Sequence, residues 1–541
     1  MQLRRLTVPL PAGRRAGSTT ADATAAAGMR PGASAVALGA LCTLLFLTFL
    51  DNTIVSVGLG GLQTDLHASV ADLQWVVGAY ALAFASIMLA CGMIGDELGR
   101  KAVMLTGAGV FCAGSVLCAL APNAQTLIAG RAIMGLGAAA SEPGTLSILR
   151  HIYTDDRARA RAVGVWAAVS GLALALGPVI GGTLIGLWSW RGIFWFNLAF
   201  GLAALLVALA VVPESADPRA GRVDTAGTLL GAGALAALIF GIIDAETSGF
   251  GAPVPVTLFC VAAVLGVAFA WWEHRAANPL VDPRFFRLRR FTVPNVVAFC
   301  TYFSTFAIFF FTALYFYEVF SDSGYKIALV FAPMTVLMIA ASVFTGYWTG
   351  RAGPRWPITI GCVLFAAGLL LTNPLINEHP NYALLSLTLA IAGIGLGITV
   401  VPVTSAVLDA VPPERSGMAA SVVNTSREIG AVTGVAVLGA LVFSQVNANI
   451  SKHLEQLSLP ASDKAAILKF KSVIIEFIET GQATGITASN YNTHSGIVGK
   501  VVGAAYLAFG DGVHAALYLS GALMVLAAIL AAVTLRSESA P

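Results

Sequence analysis

The chain has 541 residues, 57% of them apolar and only 11% charged, against roughly 25% charged in soluble domains. With a mean hydropathy of +0.81 this excludes a string of soluble domains, and a formal net charge of +3 is too small to suggest a nucleic-acid partner. There is no P-loop, HExxH motif, Cys/His metal spacing or GxSxG elbow, so no enzyme activity, metal or organic cofactor is expected, and any work done by the chain must draw on something other than ATP.

Residues 1–34 are polar, Ala-rich and carry five arginines; a cytoplasmic tail is expected, because the following apolar run is too long for a signal-peptide core. A bilayer core about 30 Å thick takes roughly 20 apolar residues per helix. Apolar runs near 35–59, 73–94, 103–121, 125–149, 162–186, 192–212, 225–244, 253–272, 292–317, 327–349, 357–374, 382–406, 417–444 and 504–534 therefore predict about fourteen spans. Between the last two, an outer loop at 445–503 contains a stretch, 461–479, with the apolar spacing of an interfacial helix; a solvated linker fits it equally. The seven cysteines all lie in apolar runs without a CxxC pair and read as small buried residues.

Lys and Arg placement sets the expected orientation. Twenty-two fall on the side of the N-terminal tail and two, Arg191 and Lys326, in short loops on the other. Both termini are therefore expected in the cytoplasm.

Gly92-Met-Ile-Gly-Asp96-Glu-Leu-Gly99-Arg100-Lys101 after the second span returns in the same register as Gly346-Tyr-Trp-Thr-Gly350-Arg-Ala-Gly353-Pro-Arg355 after the tenth. Repeated halves with binding near the midplane are a common plan of secondary transporters. The expected fold is an all-α polytopic membrane protein of two pseudo-symmetric six-helix bundles, 35–212 and 291–534, with an inserted helix pair and cytoplasmic linker at 213–290 and a cytoplasmic tail at 535–541.

Ionisable groups inside spans are costly and become functional candidates. Asp51 in the first span and Arg131 in the fourth fall at similar depth near the outer surface, placed for an ion pair whose role is either in transport or only structural. Glu142 follows Arg131 by eleven residues, close to three turns, so the two share a face about 16 Å apart along the axis. That face should line a central cavity, where Glu142 either exchanges protons or is sealed by a neighbouring hydroxyl. Arg427 and Glu428 are adjacent in the thirteenth span, pointing about 100° apart; one is expected at the cavity and the other at a neighbouring helix. Gly177, Pro178, Gly181 and Gly182 form a GPxxGG cluster that permits close approach and bending. The aromatics of the ninth span, Phe303, Phe306 and Phe310 among them, are either a stacking surface for a flat substrate or cation or lipid-facing filler.

These motifs resemble the major facilitator superfamily, and specifically its fourteen-span drug:proton antiporter branch, over residues 35–534. Gly92 to Lys101 resembles the loop motif after the second span, with Ile94 for Leu and Glu97 for Arg. Arg131 to Gly137 resembles the fourth-span motif, with Met134 for Gln, and Gly177 to Gly182 the fifth-span exporter motif. Leu50 to Leu59 is similar to the first-span motif, with Ser56 for Asn and Gly60 for Pro, and Trp190 to Phe194 with Asn197 to the start of the sixth span.

The resemblance implies a proton-coupled exporter of amphiphilic drugs, dyes or antibiotics, working by alternating access in the inner membrane of a bacterium with the proton gradient as its energy source. By the resemblance Asp51 and Arg131 would couple to protons; Glu142, an addition to the family pattern that would widen acceptance of cations, joins them by its place on the helix, and Met134, Phe303, Phe306, Phe310, Arg427 and Glu428 are expected to face substrate. Gly92, Asp96, Gly99, Arg100 and Lys101 would form the cytoplasmic gate, and Gly177 to Gly182 the bending point. Small molecules, protons and lipids are the expected partners of a monomer; a periplasmic adaptor is permitted but not demanded. A dedicated exporter of one metabolite or lipid, and a non-transporting receptor or scaffold, are the alternatives.

Overall fold

A computed structural model describes residues 31–68, 70–215, 224–276, 279–312, 315–316, 324–377, 380–412, 415–456 and 497–535. The expected interfacial helix at 461–479 lies outside them. Among the described residues there is no strand. Fourteen helices of at least 18 residues stand at the positions of the expected spans: α1 Pro31–Ile54, α2 Val70–Leu98, α3 Arg100–Ala119, α4 Ala124–Ile152, α5 Asp156–Leu187, α6 Arg191–Val211, α7 Thr225–Ser248, α8 Pro253–Glu273, α9 Arg289–Phe306, α10 Gly324–Ala352, α11 Arg355–Thr372, α12 Tyr382–Asp409, α13 Ser416–Gln456 and α14 Ile497–Thr534.

Among the described residues, twelve of these helices carry a stretch long and apolar enough to cross a membrane. The chain is a multi-pass membrane protein, and α4 and α5 stand as helices at the two remaining expected positions. α4 carries Arg131, Glu142 and Arg150 on a run of glycines and alanines, and α5 opens on Asp156, Arg157, Arg159 and Arg161. Both are packed among other helices, α4 against α2 and α3 and α5 against α1 and α10.

Local departures from the expected spans have visible causes. The first span is not one helix to 59: after Ile54 it tightens into a 3-10 turn, Val55–Gly58, and a short helix, Leu59–Leu66. The ninth leaves α-geometry at Ala307–Phe311, a π turn of the kind common at functional sites. α13 runs on to Gln456 and α14 begins at Ile497, so helix extends into both ends of the expected 445–503 loop. There Asp511 of α14 accepts a hydrogen bond from Asn449 at 3.0 Å and lies 2.9 Å from Nε2 of His453, while His514 bonds Asn373.

The packing forms two groups. Within the first, α4 lies against α1, α2 and α3, and α6 against α1 and α3; within the second, α12 lies against α9, α10 and α11, and α14 against α9, α11 and α13. Two seams join the groups, α2 on α13 and α5 on α10, while α7 and α8 pair with each other and α7 rests on α2 and α13.

Both described chain ends lie at one end of the molecule. The Tyr153 hydroxyl donates to the Ser34 carbonyl at 3.1 Å, and Arg355 beside the end of α10 donates to the Ala532 carbonyl at 2.7 Å. At this tail-side end the segment after α6 folds back under α3. The Glu214 carboxylate accepts the backbone N–H groups of Lys101 at 3.0 Å and Ala102 at 3.1 Å, and Ser215 accepts that of Arg100 at 2.8 Å, so donors that a helix start leaves open are met. Replacing Glu214 with Ala should cost about 1 kcal/mol, the usual worth of such a cap, read as a lowered melting temperature of the purified protein.

Candidate functional site

Three clusters hold the charged residues singled out above. The first is sealed inside the first helix group. Asp51 on α1 is fully buried and Arg131 on α4 nearly so, and the two form an ion pair. The second carboxylate oxygen of Asp51 accepts from Asn197 Nδ2 on α6 at 2.7 Å. Arg131 also donates Nε to the Val76 carbonyl at 2.9 Å and lies 4.5 Å over the Tyr80 ring. This explains how a full ion pair stands in such a place: each charge has its counter-charge and further polar partners, the condition for burying one. Met134, three residues further along α4, does not face substrate space. It is wholly buried against α3, with its sulfur 3.7 Å from Cys118 Sγ, since Gly114 lets the two helices approach too closely there for any added Cβ.

The second cluster closes the seam between the groups at the tail-side end. Asp96 at the end of α2 accepts from Arg100 Nε at 2.8 Å and from the backbone N–H groups of Gly417 and Met418 at 3.2 and 3.3 Å. Those amides begin α13, whose open N–H groups and positive dipole end favour an anion. A Cβ on Gly92 would come within 2.6 Å of the Gly417 carbonyl, so α2 and α13 touch backbone to backbone. Gly99 has φ +113°, which only glycine adopts freely, and this turns the chain from α2 into α3. Lys101 points away from the seam, donating Nζ to the Leu209 carbonyl at 2.8 Å. The partner seam is equally tight: a Cβ on Gly164 would meet the Ser342 carbonyl at 2.8 Å. Arg159 pairs with Asp409 at 2.7 Å and Arg150 donates to the Val411 carbonyl at 2.9 Å, so both seams are shut at this end.

Gly177 and Gly181 let α5 cross α1, where a Cβ would come within 2.9 Å of Thr53 Cβ and 2.8 Å of the Ile54 carbonyl respectively. α5 runs as one 32-residue helix through Pro178, and Gly182 is exposed. The side chains of Pro178, Phe306 and Phe310 lie outside the described residues.

The third cluster spans the two groups midway along the helices. Glu142 is buried, one of its carboxylate oxygens has no hydrogen-bond partner, and it lies within electrostatic reach of Glu428 and Arg427 across the divide. Arg427 and Glu428 both act electrostatically on Glu142. The Arg427 guanidinium reaches Asn424 at 3.0 Å and bonds Thr404, and its Cζ stands 5.5 Å from the ring centres of both Trp166 on α5 and Tyr302 on α9. Trp166 is itself fixed by donating Nε1 to Thr145 at 3.0 Å. Next to Tyr302 opens a narrow recess of about 30 Å³, lined from α5 by Ser170, from α9 by Thr305 and Phe309, and from α10 by Met338 and Ser342. Phe303 is buried instead along α9 where Gly434 of α13 presses on its backbone. Trp166 and Met338 were not foreseen; the one signal for Trp166 is a lone large ring in a helix otherwise built of Gly, Ala and Val around it.

Comparison with known proteins agrees with this architecture. The chain is 32% identical to the "Multidrug resistance protein Stp" of Mycobacterium tuberculosis, covering 76% of each chain. It is 33% identical to a "Methylenomycin A resistance protein" of Streptomyces coelicolor, over 80% of this chain and 90% of that one. A "Tetracenomycin C resistance and export protein" of Streptomyces glaucescens is 30% identical over 95% and 94%. Among solved structures, the human organic anion transporter MFSD10 matches with a TM-score of 0.58 at 16% identity, over 93% of this chain and all of that one. The proton:xylose symporter XylE follows at 0.57 and 14%, over 93% and 95%; at these identities the likeness is one of fold. Residues 41–435 match the family description directly, and the chain belongs to the Major Facilitator Superfamily.

Proposed function

We propose that this chain is a proton-coupled exporter of amphiphilic drugs, dyes or antibiotics, set in the inner membrane of a bacterium with both termini in the cytoplasm. The observation that carries the reading is Glu142: a buried carboxylate, not fully bonded, at the junction of two helix groups, in a chain about a third identical to proteins named for drug resistance. A carboxylate at that junction can exchange a proton when the groups part and feels the charge of the opposite group when they close. With the tail-side end read as cytoplasmic, the seams at Asp96 and Gly92 close the cytoplasmic gate. Proton and substrate then bias the same two-state element, with Asp51 and Arg131 transmitting between α1, α4 and α6.

The test is purified protein in liposomes loaded with a pH-sensitive dye, an imposed proton gradient, and a panel of lipophilic compounds including ethidium. Substrate-dependent proton movement is expected in the wild type and should be absent in Glu142→Gln; full coupling in that variant sinks the role of Glu142. Two relatives named for resistance to one antibiotic each favour a second reading, export of a single dedicated compound. Response to one panel member alone would support it over broad specificity.

A further inference from the structure

We propose that Arg427 is a tethered cation that occupies the cation-binding slot between the two helix groups, and that a monovalent aromatic cation enters by displacing it. The proposal rests on the exporter reading and names the charge class and the selecting residue of that same site.

The slot is built by both groups. Trp166 of α5 and Tyr302 of α9 place their rings at equal distance, 5.5 Å, from the Arg427 Cζ, within the range at which a cation is attracted to an aromatic face. Two carboxylates lie within electrostatic reach of it, Glu142 from α4 and Glu428, the next residue along α13. The membrane-buried ion pair of Asp51 with Arg131 is closed on itself and lies about 16 Å from Glu142 along α4. Two carboxylates facing one guanidinium leave, when both are ionised, a single uncompensated negative charge. That vacancy is met by one proton or by one monovalent cation.

Arg427 is also held loosely for a buried arginine. Among the described residues its hydrogen bonds go to two neutral groups, Asn424 and Thr404, its Nε has no partner, and it forms no ion pair with either carboxylate. Glu142 presents the complementary deficiency, one carboxylate oxygen without a donor. A guanidinium kept only for structure would be expected to use its bidentate fork on such a carboxylate. Here it rests on rings and hydroxyls, and leaving costs it no ion pair.

The recess beside the slot is narrow with the seams shut and lies where the rest of the ligand would enter as the two groups part. Its lining carries no charge, and Ser170, Thr305 and Ser342 already donate to backbone carbonyls. An apolar aromatic body in the recess with its charge between Trp166 and Tyr302 would use both. Uncharged compounds would take the recess and leave Arg427 in place, so Arg427 discriminates by charge rather than by size.

The experiment is equilibrium binding of ethidium and of uncharged N-phenyl-1-naphthylamine to the purified full-length protein. Arg427→Gln is expected to bind ethidium roughly tenfold more tightly, as an intramolecular competitor is removed, while the uncharged probe changes by less than about twofold. Arg427→Lys should stay near the wild type, and Glu142→Gln added to Arg427→Gln should erase the gain. Tyr302→Leu, which leaves the guanidinium in place, should weaken ethidium alone, and it tests the slot even if Arg427→Gln fails to fold. Weaker binding of both probes in Arg427→Gln, equal tightening of both, or unchanged ethidium binding in Tyr302→Leu would overturn the proposal. A selective ethidium gain in a protein that moves nothing across liposomes upholds the slot and removes the exporter reading. Export of uncharged drugs without the gain does the reverse.

Discussion

Replacing Asp51 with Asn should both destabilise the protein and stop transport, and a second substitution separates the two effects. The Arg131 guanidinium, 1% exposed, would keep its bonds to the Val76 carbonyl and the Tyr80 ring face but lose the one counter-charge it pairs with among the described residues. Removing one partner of a buried pair costs about 3–5 kcal/mol because the other charge is stranded, whereas replacing both by apolar residues of similar volume is often neutral. The thermal stability of Asp51→Asn should therefore fall steeply, and that of Asp51→Leu with Arg131→Met should return most of the way. If the carboxylate carries protons, the double variant stays inactive in the liposome assay although it is stable. Wild-type transport by the double variant would reduce the pair to a structural element.

The other large effect belongs to Gly92. Any side chain there meets the Gly417 carbonyl and Ser421 across the α2–α13 seam, and neither partner can give way cheaply because both sit on the backbone-to-backbone contact that Asp96 caps. Overpacking of this kind costs about 1–3 kcal/mol, which moves a two-state equilibrium by roughly 5- to 150-fold. Gly92→Val should thus depopulate the state closed at this end and lower transport by a comparable factor. Spin labels at the exposed positions Leu98 and Pro412 would report it as loss of the short-distance population. Retention of that population with normal transport would show that the seam has slack that the packing does not suggest.

The two cases differ in how far the sequence alone foretold them. Helices and their order were legible because a lipid-facing segment must be long and apolar, a pattern that needs no partner to be read. The depth of Asp51 and Arg131 followed from a fixed rise per residue, and so did the shared face of Arg131 and Glu142. Gly92 and Asp96 announced themselves by recurring, in part, at Gly346 and Gly350.

What only the tertiary structure decided is which residues from distant segments meet. Helical period gives a side chain's direction about its own axis but not which helix stands opposite. Met134 therefore turned out to face Cys118 and α3 instead of substrate, and Phe303 the α9–α13 seam. For the same reason no spacing along the chain places Trp166, Tyr302 and Glu142 around Arg427. The sequence determined the layers, the gate motif and the buried charges that need partners; the crossing of α4, α5, α9 and α13, set by where glycines let backbones touch, chose those partners.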